Sequence, residues 1–198
     1  MYITKIYDTI HLNKFEVRFI KVIFLDIEGV LNTKETYERV YKILGHTTMI
    51  DVEIDKFRLE YLRHIIDNTG AKIVLSSSFR YFFKKENDKV LPITLKGKKI
   101  YDILMRYGIE IYDKTPNTMG SREAQIQNWL LNRDDIESFV IIDDDPTEFD
   151  QLLDKLVQTC KVRRNYLLSF MKESIGLCER HVEEVVDRLN NKTKVLKR

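Results

Sequence analysis

Residues 21–32, KVIFLDIEGVLN, decide the fold of this chain. They open with an apolar run at residues 22–25, rich in β-branched and aromatic side chains, and a glycine, Gly29, follows soon after. Such a run is typical of a strand buried on both faces of a sheet, and Asp26 stands where that strand ends. In open α/β sheets, ligands bind in the crevice outside the carboxyl ends of the strands. Because a buried carboxylate is costly unless it is paired or binds a metal, Asp26 is a candidate functional residue.

The composition fits one soluble globular domain. The chain has 198 residues, of which 43% are hydrophobic and 32% are charged, enough for one well-filled core. Its net charge of +2 is too small to indicate nucleic-acid binding by bulk electrostatics. Two cysteines make neither a disulfide framework nor a metal cluster, and no apolar run is long enough to span a bilayer. Residues 1–20 lack a signal-peptide pattern, so we expect a cytoplasmic protein.

Strand and helix patterns alternate along the rest of the chain. After the strand at residues 22–25, further strands are predicted at residues 72–75, 109–112 and 139–142. Helices are predicted at residues 55–68, 100–107, 149–157 and 179–189, and another begins after Ser121. This alternation predicts an α/β fold: a doubly wound three-layer sandwich around a mainly parallel central sheet, with right-handed crossovers.

The domain organisation is predicted as a single domain at residues 21–190 with a short segment on each side. Residues 1–20 are an N-terminal extension whose loose alternation suits a hairpin or an edge strand. Residues 191–198 are a basic C-terminal tail. Within the domain, we expect residues 33–50 to form a short helix and loop that serve as a flap or minimal cap, and residues 81–99 to form a loop.

Polar side chains stand at three predicted strand ends. They are Asp26 and Glu28, Ser76 and Ser77, and Asp143 and Asp144. The carboxyl ends of parallel strands share one edge of a sheet, so we expect these groups to meet there. Crowded carboxylates repel one another and favour protonation, and a hard divalent cation such as Mg²⁺ relieves that repulsion. The alternative for residues 143–145 is an Asp-rich turn before Pro146 without a functional role.

This set of groups suits phosphoryl transfer. One carboxylate attacks phosphorus to form an aspartyl-phosphate, and a second, two residues on, exchanges protons with the leaving oxygen and with water. A hydroxyl and backbone N–H groups at the second strand end hold the transferring group, while Mg²⁺ binds carboxylate and phosphate oxygens. Either Ser76 or Ser77 supplies the hydroxyl, because a one-residue slip at the strand end exchanges them.

Three segments resemble the motifs of the haloacid dehalogenase (HAD) superfamily of phosphohydrolases. They are VIFLDIEGVLN, IVLSSSFR and FVIIDDD, in the order of the family. The resemblance covers residues 22–157, and GLCERHVEEVVDRL is similar to the C-terminal helix of small HAD domains found in RNA-repair proteins. The resemblance implies a HAD-like Rossmannoid fold and a Mg²⁺-dependent phosphatase.

The resemblance also implies roles, position by position. Asp26 would be the nucleophile and a Mg²⁺ ligand. Glu28 would be the acid/base and would bind Mg²⁺ through its backbone carbonyl. Ser76 would bind phosphate, and Asp143 with Asp144 would complete the metal site.

Cations near these motifs are further candidates. The third motif of the family is a lone Lys or Arg at the start of a helix; Arg122, in GSREAQIQNWL, fits best as a phosphate-binding residue, with Lys114 as the alternative. Arg80 follows the serines and has two interpretations, an anion-binding side chain or a surface charge.

One position departs from the family pattern. The phosphatases usually have Asp where this chain has Glu28, whose arm is one methylene longer. Misplacing a catalytic group by about 1 Å costs roughly a hundredfold in rate. We expect an active phosphatase because the other acidic positions are intact. The alternatives are an attenuated or non-catalytic module that binds phosphate and metal, and a phosphotransferase.

The size of the insertions bears on the substrate. Neither residues 33–50 nor residues 81–99 are long enough for a full cap domain, so the resemblance implies an open site. Such a site accepts a bulky phosphorylated substrate, a protein or a nucleic-acid end. Lysines in the second insertion either attract a polyanion or form a solvated basic surface. They are Lys84, Lys85, Lys89, Lys96, Lys98 and Lys99.

Overall fold

The computed structural model describes residues 18–45, 53–131, 133–162 and 172–191. The strands in these ranges are β1 (Ile20–Leu25), β2 (Lys72–Leu75), β3 (Phe83–Glu86), β4 (Lys89–Pro92), β5 (Ile111–Lys114), β6 (Ile136–Asp143), β7 (Leu156–Gln158), β8 (Cys160–Val162) and β9 (Lys172–Ser174). The α-helices are α1 (Lys34–Leu44), α2 (Lys56–Thr69), α3 (Leu95–Arg106), α4 (Arg122–Leu130) and α5 (Glu179–Asn190).

The central sheet has five parallel strands in the order β5-β2-β1-β6-β7. β1 lies in the middle, with β2 and then β5 on one side and β6 and then β7 on the other. At the carboxyl end of β1, Leu25 pairs with Leu75 of β2 and with Ile142 of β6. The predicted α/β fold with a mainly parallel sheet is therefore confirmed, and residues after these three strands share one edge.

Helices cover both faces of the sheet, as the apolar runs predict. Side chains of β1 alternate between the two faces, because successive residues of a strand point to opposite sides. Ile23 and Leu25 belong to the larger core cluster, which includes the buried residues of α2, α3 and α5. Val22 and Phe24 belong to a smaller cluster with Ile126 and Trp129 of α4, and the sheet is thus the middle of three layers.

Local signals set the ends of two helices that flank the site. The side chain of Asp55 accepts a hydrogen bond from the backbone N–H of Phe57, and Gly70 ends α2 in the left-handed conformation. The side chain of Ser121 caps α4 by accepting from the N–H of Ala124 at 3.2 Å, which fixes where Arg122 enters the helix.

The helix predicted at residues 149–157 is wrong. The chain forms 3₁₀ turns at Pro146–Glu148 and Leu153–Lys155 and then enters β7. Apolar residues recur there at nearly helical spacing, but the backbone of β7 pairs with β6 instead, with Leu156 opposite Ile141. Pairing with the exposed edge of β6 outweighs the local helical pattern.

The loop predicted at residues 81–99 is also wrong. β3 and β4 pair as an antiparallel hairpin, and α3 starts at Leu95 within the same segment. Asn87 and Asp88 form the turn with φ of 48° and 59°, values that suit the tight turn of a two-residue hairpin. These short strands carry a weak apolar pattern, because half of their residues are exposed and only Phe83 and Val90 are buried.

Other expectations differ in extent. The predicted helix of the minimal cap is α1, while residues 46–50 lie outside the described ranges. β1 starts at Ile20, inside the segment assigned to the N-terminal extension, and the hairpin or edge strand expected at residues 1–17 lies outside the described residues, as does the basic tail after Asn191. Among the described residues, no helix combines the length and apolar character needed to cross a membrane.

Candidate active site

The ends of β1 and β6 bring three carboxylates together. Asp26 follows β1, Asp143 ends β6, and the backbone N–H of Asp26 donates to the carbonyl of Ile142 at 3.0 Å. One carboxylate oxygen from each of Asp26, Asp143 and Asp144 lies within 4.8 Å of the others. Because Asp26 is 3% exposed and Asp143 is fully buried, water solvates neither charge well. Of the acidic residues expected to meet at this edge of the sheet, Asp26, Asp143 and Asp144 do so.

Burial and neighbouring charges raise the pKa of two of these carboxyls. Burial, and then the charge of Asp26, raises the pKa of Asp143 to about 7, although Arg122 opposes the shift. Burial, and then the charges of Asp26 and Asp145, raises the pKa of Asp144 to about 6. The protein therefore concentrates negative charge at a place where that charge is costly, as sites for a cation do.

Arg122 lies against two of these carboxylates. Its Nη1 donates to Oδ2 of Asp26 at 2.8 Å and also to Oδ2 of Asp143. Burial alone would lower the pKa of Arg122, but Asp26 and Asp143 raise it above its ordinary value, so the guanidinium stays charged. Its backbone N–H donates to Oε2 of Glu148 at 2.9 Å, which ties the start of α4 to the turn after β6. The sequence did not single out Glu148, although its acidic side chain follows Pro146 closely.

Lys114, the alternative cation, lies elsewhere along the same edge. It ends β5, the outer strand on the far side of β2, and its Nζ donates to Oδ1 of Asn117 at 3.2 Å. The structure thus brings Arg122, and not Lys114, into hydrogen-bond contact with Asp26 and Asp143.

Gly29 makes room for Asp144. A Cβ atom at position 29 would lie 2.2 Å from Cγ of Asp144, and the backbone there has φ of +73°. Both facts favour glycine, because other residues would clash and would also adopt this conformation reluctantly. The loop after β1 therefore packs directly against the carboxylate that follows β6.

Ser76 and Ser77 differ in what their hydroxyls do. Both are buried at the end of β2, and the backbone N–H of Ser76 donates to the carbonyl of Leu25 at 2.9 Å. Oγ of Ser77 accepts from the N–H of Phe79, which caps the 3₁₀ turn at Ser78–Phe82. Oγ of Ser76 has no hydrogen-bond partner among the described residues. A buried hydroxyl left without a partner is costly, so Ser76 is the serine that is free to bind a ligand.

Glu28 lies apart from the three-carboxylate group. Its side chain is exposed, and Oε2 accepts from the hydroxyl of Ser78 at 3.5 Å, between the ends of β1 and β2. Its charge also contributes, after burial, to a raised pKa of Tyr37 on α1. The carboxylate thus stands at the solvent side of the site, beside the helix that follows β1.

A family model for the HAD domain in Swiss Army Knife RNA repair proteins matches residues 22–163, more than half of the chain. The chain belongs to this family. Membership confirms the HAD resemblance of the three motifs and places the domain in a phosphohydrolase-type superfamily. No curated protein and no solved structure matches the chain.

The donor set of this HAD domain fits Mg²⁺. The ion prefers carboxylate and water oxygens, and Asp26, Asp143 and Asp144 offer oxygens close enough to share one cation. Burial and neighbouring charges raise the pKa of two of these carboxyls, and the charge of Arg122 opposes this shift without cancelling it.

Proposed function

We propose that the chain is a Mg²⁺-dependent phosphomonoester phosphatase that works through an aspartyl-phosphate at Asp26. The observation that carries the proposal is the convergence of three carboxylates and one guanidinium at the ends of two adjacent strands. Phosphoryl transfer depends mainly on positioning and on compensating negative charge, and this arrangement supplies both.

The residues divide the reaction into two displacements. An oxygen of Asp26 attacks phosphorus and the ester oxygen leaves, taking a proton from Glu28. Glu28 then accepts a proton from water as the water oxygen attacks phosphorus, which releases phosphate and restores Asp26. Arg122 orients Asp26 through their 2.8 Å hydrogen bond, and the hydroxyl of Ser76 donates to a phosphoryl oxygen.

We assign the metal to the carboxylates of Asp26, Asp143 and Asp144 and to the backbone carbonyl of Glu28. When bound, Mg²⁺ would supply positive charge that compensates the phosphoryl oxygens. Gly29 leaves the space in which the Asp144 side chain is held toward Asp26.

We propose a phosphorylated RNA end as the substrate. The description of the family names RNA repair proteins, and within the described residues the two insertions of this chain form α1, a small hairpin and the start of α3. A site without a cap domain suits a macromolecular end better than a metabolite that must be enclosed. A phosphorylated protein is the alternative substrate of the same site.

The substitution Asp26→Asn tests the mechanism. It keeps the side chain's size and removes the nucleophile, so we expect phosphate release from p-nitrophenyl phosphate in Mg²⁺ to fall below detection. Asp67→Asn, at the exposed end of α2, is the matched control and should retain full activity. Unchanged turnover in the Asp26→Asn protein, with an unchanged circular dichroism spectrum, would remove Asp26 from the mechanism.

A second candidate function is an attenuated module that binds phosphate and metal. The exposed position of Glu28 and its 3.5 Å contact with Ser78 favour it, because they leave the acid/base outside the carboxylate group. Glu28→Asp separates the two functions. A loss of about tenfold or more in kcat would show that Glu fits its site, whereas a large gain would mark the natural chain as attenuated.

A further inference from the structure

Arg80 is a buried cation that donates to neutral oxygens. The residue is 5% exposed, and its guanidinium donates to the carbonyl of Ser77 at 3.1 Å and to the hydroxyl of Tyr81 at 2.9 Å. Its Nε has no hydrogen-bond partner among the described residues, and the two oxygens to which its guanidinium donates are both neutral. Because a buried charge is stable only when it is compensated, the site lacks an anion at Arg80. This burial excludes the interpretation of Arg80 as a surface charge.

Lys114 is a second cation of this kind. It is partly buried, and its ammonium donates to the neutral side chain of Asn117, while its backbone N–H donates to Oδ1 of Asp113 at 2.8 Å. The neighbouring carboxylate, Asp113, is already engaged by Lys85 and by the indole N–H of Trp129. Burial, and then the charge of Arg80, lowers the pKa of Lys114, so the two cations lie close enough to repel.

The two cations extend from the carboxylates toward β5. Burial lowers the pKa of Arg80, and among the smaller effects the charge of Arg122 lowers it further while the charge of Asp26 raises it, so Arg80 lies within electrostatic range of Asp26. Lys114 pairs with Leu75, which pairs with Leu25 next to Asp26, so the three strands form one row along the sheet edge. Strands are about 4.8 Å apart, which places the backbone of Lys114 about 10 Å from that of Leu25. Arg80 lies in the turn that follows the middle strand of this row. Arg80 therefore lies between the carboxylates and Lys114, and Lys114 extends the positive charge sideways from the place where the reacting phosphate would bind.

We propose that Arg80 and Lys114 form a second anion subsite, which takes a phosphate next to the reacting one, such as the neighbouring phosphodiester of an RNA strand. The inference rests on the proposed function, since it assumes a reacting phosphate at Asp26. A guanidinium presents several N–H donors in one plane and suits phosphate oxygens, while Lys114 adds a second positive charge. An anion between them also offsets their mutual repulsion.

Equilibrium binding tests the subsite without requiring turnover. The Asp26→Asn chain in Mg²⁺ is titrated with adenosine 3′,5′-bisphosphate, adenosine 3′-monophosphate and adenosine 5′-monophosphate. We expect the bisphosphate to bind about tenfold more tightly than the better monophosphate, as one added charge-assisted contact predicts. Adding Lys114→Gln or Arg80→Gln should abolish this preference. Adding Lys72→Gln, which removes the same charge from an exposed position at the other end of β2, should retain it.

The outcomes separate a binding role from a structural one. If Arg80 only supports the backbone at Ser77, Lys114→Gln will leave the preference intact, and the subsite is rejected. If Arg80→Gln fails to fold by circular dichroism, Lys114→Gln decides alone. Equal affinity for the bisphosphate and the monophosphates in the Asp26→Asn chain also rejects the subsite.

Hydrolysis of p-nitrophenyl phosphate by the natural chain distinguishes failure of the subsite from failure of the proposed function. Hydrolysis of this ester without a preference for the bisphosphate rejects only the subsite. A preference for the bisphosphate without hydrolysis of any tested ester rejects the phosphatase and retains the subsite.

Discussion

The two halves of the sheet edge carry opposite charges. We call the β1–β6 half, whose carboxylates would bind a cation, the cation half, and the β2–β5 half, whose polar groups and cations would bind an anion, the anion half. On the β1–β6 half, Asp26, Asp143 and Asp144 crowd together, and Arg122 compensates only part of their charge. On the β2–β5 half, the part of the chain that the structure describes offers no partner to Oγ of Ser76 or Nε of Arg80, and the ammonium of Lys114 donates to a neutral amide. One half is therefore arranged to receive a cation and the other to receive an anion. A phosphate ester with its metal supplies both charges at once. Either half alone would indicate only one of the two ligands.

The largest expected effect on activity comes from a substitution in the cation half. Asp143→Asn removes one fully buried carboxylate, which we propose as a metal ligand and which accepts a hydrogen bond from Arg122. A bound metal contributes several kcal/mol to the transition state, so we expect kcat/KM for p-nitrophenyl phosphate to fall by about a thousandfold. Initial rates over a Mg²⁺ titration measure this. Asp154→Asn, in the exposed turn before β7, should leave the rate unchanged. A Mg²⁺ titration identical to that of the natural chain would exclude Asp143 as a ligand.

A smaller effect on activity is expected in the anion half, where substitutions of its two serines should have different consequences. Ser76→Ala removes a hydroxyl that has no partner among the described residues, so kcat/KM should fall about tenfold without a loss of thermal stability. Ser77→Ala removes the cap on the N–H of Phe79 and should cost about 1 kcal/mol of stability, with a smaller change in rate. Thermal unfolding and initial rates on both proteins test the pair. The reverse assignment of the two effects would make Ser77 the phosphate ligand.

The smallest expected effect is on the stability of the metal-free chain. The pKa of Asp144, raised to about 6, lies above the value of about 3.9 for an unfolded Asp. The folded state therefore binds this proton more tightly, and its stabilising contribution is lost as pH rises from about 4 to about 6. In EDTA, the Tm of Asp144→Asn should exceed that of the natural chain by a few degrees at about pH 8, and less at about pH 4.5. A Tm difference that is constant with pH would contradict a raised pKa of Asp144.

The sequence predicts the cation half better than the anion half. A buried apolar run followed by an acidic residue is a local pattern, and it occurs at both Asp26 and Asp143. Parallel pairing of β1 and β6 is then enough to bring these two residues together. For the same reason, the family motifs and the fold were predictable from residues 21–32 and their two counterparts.

The two cations of the anion half depend on tertiary contacts that no local pattern encodes. Arg80 is distinctive because it is buried and its guanidinium donates, within the described ranges, to neutral oxygens, and both features follow from how the turn after β2 packs. Lys114 belongs to this half because β5 lies beside β2, an order that the sequence does not state. The helix predicted at residues 149–157 failed for a related reason, since β7 forms through pairing with β6 and not through its own pattern.

The close approach of Gly29 to Asp144 has a consequence for how the family diverges. A Cβ at position 29 would overlap the carboxyl group at position 144, so the two positions, far apart in sequence, share one volume. A relative that acquires a side chain at the first position must shorten or displace the second. In a sequence alignment, a relative without this glycine would therefore be one in which the carboxylate site has changed or been lost.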